Sequence, residues 1–356
     1  MFESNFWRAK LTEHTRSSNV AGIQQVLLTI GPIALLWGVY AFWVGKFPFT
    51  IVPIAILNTL FILRSFVLMH DCGHGSLLQS NRANKVVGFL FGVITGMPQF
   101  VWSKNHTYHH NTNGDWVKYR GVFNILSTDQ YAELSEKKKS NYWLFRQPMI
   151  LIPAGFFYVL FNPRFNWIAG NITILSKIIR ALLFLNFSDA LSTAKNWKTK
   201  YWKSKKDYLH MTYNNLALIL ICFVMSRAMG AAHFLILYVI STSLAGSIGI
   251  LLFTIQHNFE NSYATDSARV NHYDAALKGT SMLVLPKLLN WFTADIAYHH
   301  IHHLSVAIPN YKLAACHKEF EHLFVDVKRV YCRDLLSTFR FQLWDTELQQ
   351  VVERKR

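Results

Sequence analysis

The stretch Phe49–His74 reads FTIVPIAILNTLFILRSFVLMHDCGH. From Phe49 to Met69 it is almost wholly apolar, and a helix needs about 20 such residues to cross a hydrocarbon core. Two histidines follow directly, four residues apart. Positions i and i+4 share a helix face, so His70 and His74 point the same way where the helix leaves the membrane. This one run predicts a membrane helix with a metal-ligating pair at its end.

Working outward, hydropathy marks four spans, at about residues 24–45, 49–69, 209–226 and 232–255. Short links near Lys46–Pro48 and Arg227–Ala231 pair them into two helical hairpins. Most of the basic residues lie elsewhere, in runs such as Lys137–Lys139, Lys195–Lys206 and Lys328–Arg333. The positive-inside rule then places segments 1–23, 70–208 and 256–356 on the cytoplasmic side, with both termini inside. Val86–Val101 and Met149–Phe161 are apolar but short. As helices of about 1.5 Å rise per residue they fall below a full crossing, so they read as interfacial or re-entrant. Arg64, near the end of span 2, is expected to snorkel to the interface. No internal repeat or low-complexity linker divides the chain, and residues 1–356 read as a single domain. The expected fold is an all-α integral membrane protein. Four transmembrane helices in two hairpins, with interfacial helices, would carry a cytoplasmic helical cap holding a histidine-rich di-metal site.

The chain has 356 residues, 51% hydrophobic and 16% charged, with a net charge of +16. The charge is spread between apolar spans and forms no basic run interleaved with aromatics. It therefore suits anionic headgroups or an acidic protein partner and gives no support to nucleic-acid binding. Cys72, Cys222, Cys316 and Cys332 form no CxxC pair, so neither a zinc ribbon nor a disulfide framework is indicated. The polar first twenty residues do not have the form of a cleavable signal peptide.

Ten of the sixteen histidines fall in four groups: His70 and His74; His106, His109 and His110; His257 within Gln256-His257-Asn258; and His299, His300, His302 and His303. The topology brings all four to one membrane face. Spacings of three and four let each group aim at one point, while His300 turns away from its neighbours and is left out. Nine ligand candidates remain: His70, His74, His106, His109, His110, His257, His299, His302 and His303. That is enough for two metals. Imidazole suits iron, zinc or copper. A hydrolytic zinc site needs only three protein ligands, so nine beside a membrane suggest activation of O2 as co-substrate and favour two irons. Metal-bound histidines commonly lean on a carboxylate, and Asp71, Asp115, Glu260 and Asp295 are the candidates for that role. His14, His210, His233, His272, His317 and His322 read as surface or interfacial residues.

These groups resemble the histidine boxes of the integral-membrane fatty acid desaturases, especially the acyl-lipid branch. HxxxH matches His70–His74, HxxHH matches His106–His110 and again His299–His303, and His257 resembles the further ligand before the third box. The stretches HHNTNGDW (His109–Trp116) and DIAYHHIHHLSVAIPNY (Asp295–Tyr311) are similar to the omega-6, or delta-12-like, type. The third box departs in carrying His300 where an apolar residue is usual. The resemblance, over about residues 30 to 345, implies an oxidoreductase that inserts a cis double bond into a lipid-linked acyl chain with O2 and two electrons, at two non-haem irons cycling between Fe2+ and Fe3+. The same boxes serve di-iron hydroxylases and ketolases acting on fatty acids or carotenoids, which form the alternative. A membrane metal transporter or sensor would need ionisable residues along its spans, and these have almost none. No HPGG haem motif or iron–sulfur cysteine set is present, so electrons are expected from a separate ferredoxin-like or cytochrome b5-like donor. A bacterial plasma membrane is the expected location, ahead of the endoplasmic reticulum. The sequence leaves the oligomeric state open.

Overall fold

A computed structural model describes residues 2–43, 45–118 and 125–354. Of the segments assigned above, positions 1, 44, 119–124 and 355–356 lie outside the described residues. Four helices are long and apolar enough to cross a membrane: Asn19–Trp43, Pro48–His74, Lys205–Met229 and Ala231–His257, here spans 1 to 4. Spans 2 and 4 are central, with 56% and 44% of their apolar windows buried against 22% for each of the others. Span 3 starts earlier than its apolar run, because Ser204 caps it by accepting from the Asp207 N–H. Span 2 ends at Gly75, whose φ of +75° turns the chain immediately after His74.

Arg64 does not snorkel. Its exposure is 1%. Nε donates to Thr29 Oγ1 at 3.0 Å, the terminal nitrogens donate to the Trp291 carbonyl and Gln25 Oε1, and the guanidinium sits 3.8 Å from the Trp291 ring centroid. Acceptors from span 1 and the cap replace water around the cation, so it has no need to reach the interface.

Both short apolar stretches belong to bent helix pairs. Asn81–Ile94 and Gln99–Asn111 meet at 104°. Gly96, at φ +75°, and Pro98, which disfavours helix in the residue before it, make that bend. The second helix thereby returns to the His70 end of span 2. The other stretch is longer than expected. After Pro148 the helix runs to Leu183, at 62° to Glu136–Leu144, through a π-helical turn at Phe157–Phe161. Polar residues such as Asn162, Arg164 and Asn171 break the apolar run, but Phe161, Phe165, Ile168, Ile172, Leu175 and Ile179 keep helical spacing on an exposed stripe. Span 4 packs closely against the start of this helix. A Cβ on Gly155 would lie 2.1 Å from the Ser243 carbonyl, and one on Gly246 2.9 Å from the Gly155 carbonyl.

The chain is mostly helical, as expected, but the cap also contains two small sheets. Met282–Val284 pairs in parallel with Arg329–Tyr331. Phe341–Asp345 pairs in parallel with Leu126–Ser127 and antiparallel with Gln350–Glu353. Strands of two to five residues leave too little alternation to be read from sequence. The first sheet holds the cap to span 4 and to the third-box loop: the Ser281 N–H, just before it, donates to the Gln256 carbonyl at 2.9 Å, and the Leu283 N–H to the Ala297 carbonyl at 3.0 Å.

Candidate metal centre

The ends of spans 2 and 4, the helix Gln99–Asn111 and the short helix His299–Leu304 converge on one buried volume. Each brings histidines for a local reason. His70 and His74 occupy the last turn of span 2 and His257 the last residue of span 4. His106–His110 lie at the end of a helix whose following loop is pinned: Asn113 Nδ2 donates to the Ala275 carbonyl at 2.9 Å and the Thr265 N–H to the Gly114 carbonyl at 2.8 Å. His299–Leu304 follows a turn in which Ala294 and Asp295 adopt φ of 47° and 58°. Ile301, fully buried, packs into the cap core beside Ile308 and Leu313, which fixes the rotation of this helix.

The nine candidates come together, but not box by box. His70, His74, His106, His110 and His302 offer nitrogens within 4.8 Å of one another, and His109, His257 and His303 form a second such set. His299 adjoins the second set, its Nε2 2.9 Å from His257 Nε2. The expectation that each group aims at a single point is therefore corrected. In the second box His106 and His110 go one way and His109 the other; in the third, His302 and His303 separate. Adjacent residues diverge by about 100° on a helix, so one HxxHH motif naturally serves two neighbouring centres.

The nitrogen geometry fits metal ions. His110 Nε2 lies 2.9 Å from His106 Nε2 and 3.0 Å from His302 Nε2. A neutral imidazole nitrogen either donates one proton or accepts through one lone pair, so this atom cannot satisfy both neighbours by hydrogen bonding. His74 Nε2 and His303 Nε2 are buried with no hydrogen-bond partner among the described residues. Cis ligands at about 2.1 Å in an octahedron stand about 3.0 Å apart, against about 3.4 Å in a tetrahedron. Burial foremost, then the surrounding imidazoles, hold His299, His302 and His303 well below the usual imidazole range. They are thus neutral and able to ligate.

The carboxylate candidates have different fates. Asp71 Oδ1 is 3.0 Å from His70 Nδ1, and its Oδ2 accepts from the Asn310 N–H at 2.9 Å. Asp115 shapes the loop after the second box, accepting from the Val117 and Lys118 N–H groups at 3.1 Å and from Ser267 Oγ at 2.8 Å. Asp295 accepts from Asn290 Nδ2 at 2.5 Å. Burial pushes its carboxyl up to about 6 against the pull of the Arg64 guanidinium. Glu260 is exposed and ion-paired with Lys328 at 3.3 Å, a solvated surface charge because the chain turns outward after His257. His300 points away from the cluster, and its Nε2 contacts His317 Nδ1 at 3.2 Å. His317, expected at the surface, is buried by that contact and by stacking on Phe324.

A cavity of about 490 Å³ opens beside the histidines, lined by Leu63, Phe66, Val67, Trp102, Leu252 and Phe253 together with His70, His106, His109 and His299. Trp102 Nε1 donates to Tyr158 Oη across one wall at 3.0 Å. Gln256, quoted in the sequence only as the neighbour of His257, donates to the Ile296 carbonyl at 2.8 Å and so ties span 4 to the third-box loop. Its place before His257 was the only signal of that role.

Fold and site together define a polytopic membrane protein with a histidine-rich, metal-competent pocket open to an apolar cavity. The chain belongs to the fatty acid desaturase family, whose model, described as fatty acid desaturase, matches residues 48–334. A fatty acid desaturase of Bacillus subtilis (strain 168) is 31% identical over 92% of this chain and 84% of its own length. A chloroplastic omega-3 fatty acid desaturase of Brassica napus is 26% identical over 70% of the chain and 55% of its own. A protein named sn-2 acyl-lipid omega-3 desaturase (ferredoxin), chloroplastic, of Helianthus annuus is 32% identical over 29% of the chain and 20% of its own.

Proposed function

We propose that the chain is an O2-dependent acyl-lipid desaturase that introduces a cis double bond of the omega-6, delta-12-like type at a non-haem di-iron centre. The observation that carries this reading is a cluster of nine histidines forming one end of an apolar cavity between membrane helices. His70, His74, His106, His110 and His302 would hold one iron, and His109, His257, His299 and His303 the other. Two irons bound there supply the oxidising power to remove hydrogen from an unactivated methylene pair, which offers no proton acidic enough for a general base. The balance is –CH2–CH2– plus O2, two electrons and two protons, giving –CH=CH– and two waters.

The chain's own residues do the rest. Leu63, Phe66, Val67, Leu252 and Phe253 bury the acyl chain, at roughly 0.8 kcal/mol per methylene, and exclude water from its reacting carbons. Asp71 orients the His70 ring through Nδ1. Electrons come from a separate ferredoxin-like or cytochrome b5-like donor, attracted to a chain of net charge +16. The site faces the cytoplasm, on the distribution of Lys and Arg, and the Bacillus subtilis relative favours a bacterial plasma membrane. The omega-3 names of the plant relatives favour a second regiochemistry, insertion nearer the methyl end.

Expression in a host with a ferredoxin system, followed by gas chromatography–mass spectrometry of membrane fatty acids, tests the reading. New unsaturation that is absent in the His302→Ala variant is expected, and the bond position separates the two regiochemistries. Hydroxylated or keto products would move the chain to the oxygenase alternative. An unchanged profile with iron-loaded protein and a working donor would overturn the acyl-chain reading.

A further inference from the structure

The cavity beside the histidines does not end at its apolar walls. A second, smaller cavity of about 60 Å³ lies below it, lined by Ile62, Thr95, Val159, Thr242, Ala245 and Ile250. The two share five lining residues: Phe66, Trp102, Tyr158, Gly249 and Phe253. Four are aromatic and form a collar, with Trp102 and Tyr158 joined by their hydrogen bond. The fifth has no side chain.

Gly249 lies eight residues before His257 in span 4, about 12 Å along the helix. Glycine is unfavourable within a helix and calls for a reason. Close packing does not supply it. A Cβ built on Gly249 meets no atom within 4 Å, whereas one on Gly246, a turn away, would lie 2.6 Å from Val159 Cγ2. Gly31 and Gly38 are as open, but both are exposed on the outside of span 1. The space around Gly249 faces the passage between the two cavities.

We propose that Gly249 sets how far an acyl chain extends past the metal centre: its missing side chain keeps the passage into the lower cavity open to the distal end of longer chains. The inference rests on the acyl-chain reading above. A Cβ at 249 would touch no neighbouring atom, and a larger side chain there would project into the passage. It would then exclude terminal methylenes that the wild type buries. Each excluded methylene costs a factor of about four in kcat/KM, so two cost about 15-fold. With the bond registered from the carboxyl end, as in the delta-12 reading, sixteen-carbon chains end two methylenes short of eighteen-carbon ones and would be largely spared.

The test compares wild type, Gly249→Ala and Gly249→Leu in detergent micelles. Iron content, Tm, the ratio of 18- to 16-carbon unsaturated products, and the Tm shifts produced by stearic and palmitic acid are measured together. Gly249→Ala is expected to melt no lower than wild type. Gly249→Leu is expected to retain iron, to lower the product ratio by about 15-fold, and to lose the stearic-acid shift while keeping the palmitic-acid one. Gly155→Leu, at a position that lines neither cavity and whose Cβ would lie 2.1 Å from the Ser243 carbonyl, is expected to destabilise the fold and marks what a packing defect looks like. An iron-loaded Gly249→Leu protein with unchanged chain-length preference would overturn the proposal, as would a Gly249→Ala protein that melts well below wild type. If the wild type makes no unsaturated product, the desaturase reading fails separately, and the two fatty-acid shifts alone decide the role of Gly249.

Discussion

Arg64→Met removes a buried cation from the middle of a membrane bundle, which on hydropathy alone looks harmless. The structure predicts the opposite. The substitution takes donors from Thr29 Oγ1, Gln25 Oε1 and the Trp291 carbonyl at once, and it ends a cation–π contact at 3.8 Å. Each charge-assisted hydrogen bond lost costs about 1.5–3 kcal/mol, partly offset because the cation no longer has to be desolvated and because the Trp291 carbonyl keeps the Ala294 N–H and Gln25 Oε1 keeps Asn310 Nδ2. A net loss of about 2–4 kcal/mol follows, enough to lower Tm by several degrees. Arg64→Lys should fall between the two, because one ammonium cannot serve three spread acceptors or stack as a plane. The site should feel the change too, since Trp291 and Asn290 hold the turn that leads into His299. Without the guanidinium, the Asp295 carboxyl should rise above its present value of about 6. Circular-dichroism melting of the three proteins in the same detergent, with iron content measured beside it, is the assay. An Arg64→Met protein as stable and as iron-loaded as wild type would refute the clasp and restore the snorkelling picture.

Asp71→Asn should lower iron affinity by about 10–100-fold while leaving the fold intact, since it weakens the partner of His70 Nδ1 and keeps a carbonyl for the Asn310 N–H; chelator competition measures this. Metal-free protein should lose stability as pH falls below 6.5. His299, His302 and His303 have depressed values, so the unfolded chain takes up protons there that the folded chain does not, by up to about 1.4 kcal/mol per pH unit for each. Melting between pH 7.5 and 5.5 checks it, and a flat profile would contradict the sign. His300→Ala should lower Tm through lost packing on His317 and Phe324 yet keep full iron, whereas iron loss would place His300 in the centre.

The spans were legible because each is a long apolar run, and their common polar end was legible from charge. The convergence of the nine histidines followed from the topology, which brings all four groups to one membrane face. Their division between two sets did not, because it depends on the rotation of His299–Leu304, and Ile301 fixes that by packing into a core built from residues far along the chain. Arg64 was misread for the same reason: its partners Thr29 and Trp291 are distant in sequence. The helix Asn162–Leu183 was hidden by polar interruptions that break hydropathy but not periodicity. The passage at Gly249 could not be seen at all, since an open Cβ and a packed one look alike in a sequence.

Metal stoichiometry decides whether the histidine cluster is a two-iron centre. Protein produced in iron-replete cells and purified without chelator would be analysed by elemental analysis and Mössbauer spectroscopy, beside His302→Ala and His257→Ala. The account predicts two irons per wild-type chain, coupled through their proximity, with each variant losing iron. One zinc per chain, or a full iron complement in both variants, would contradict it.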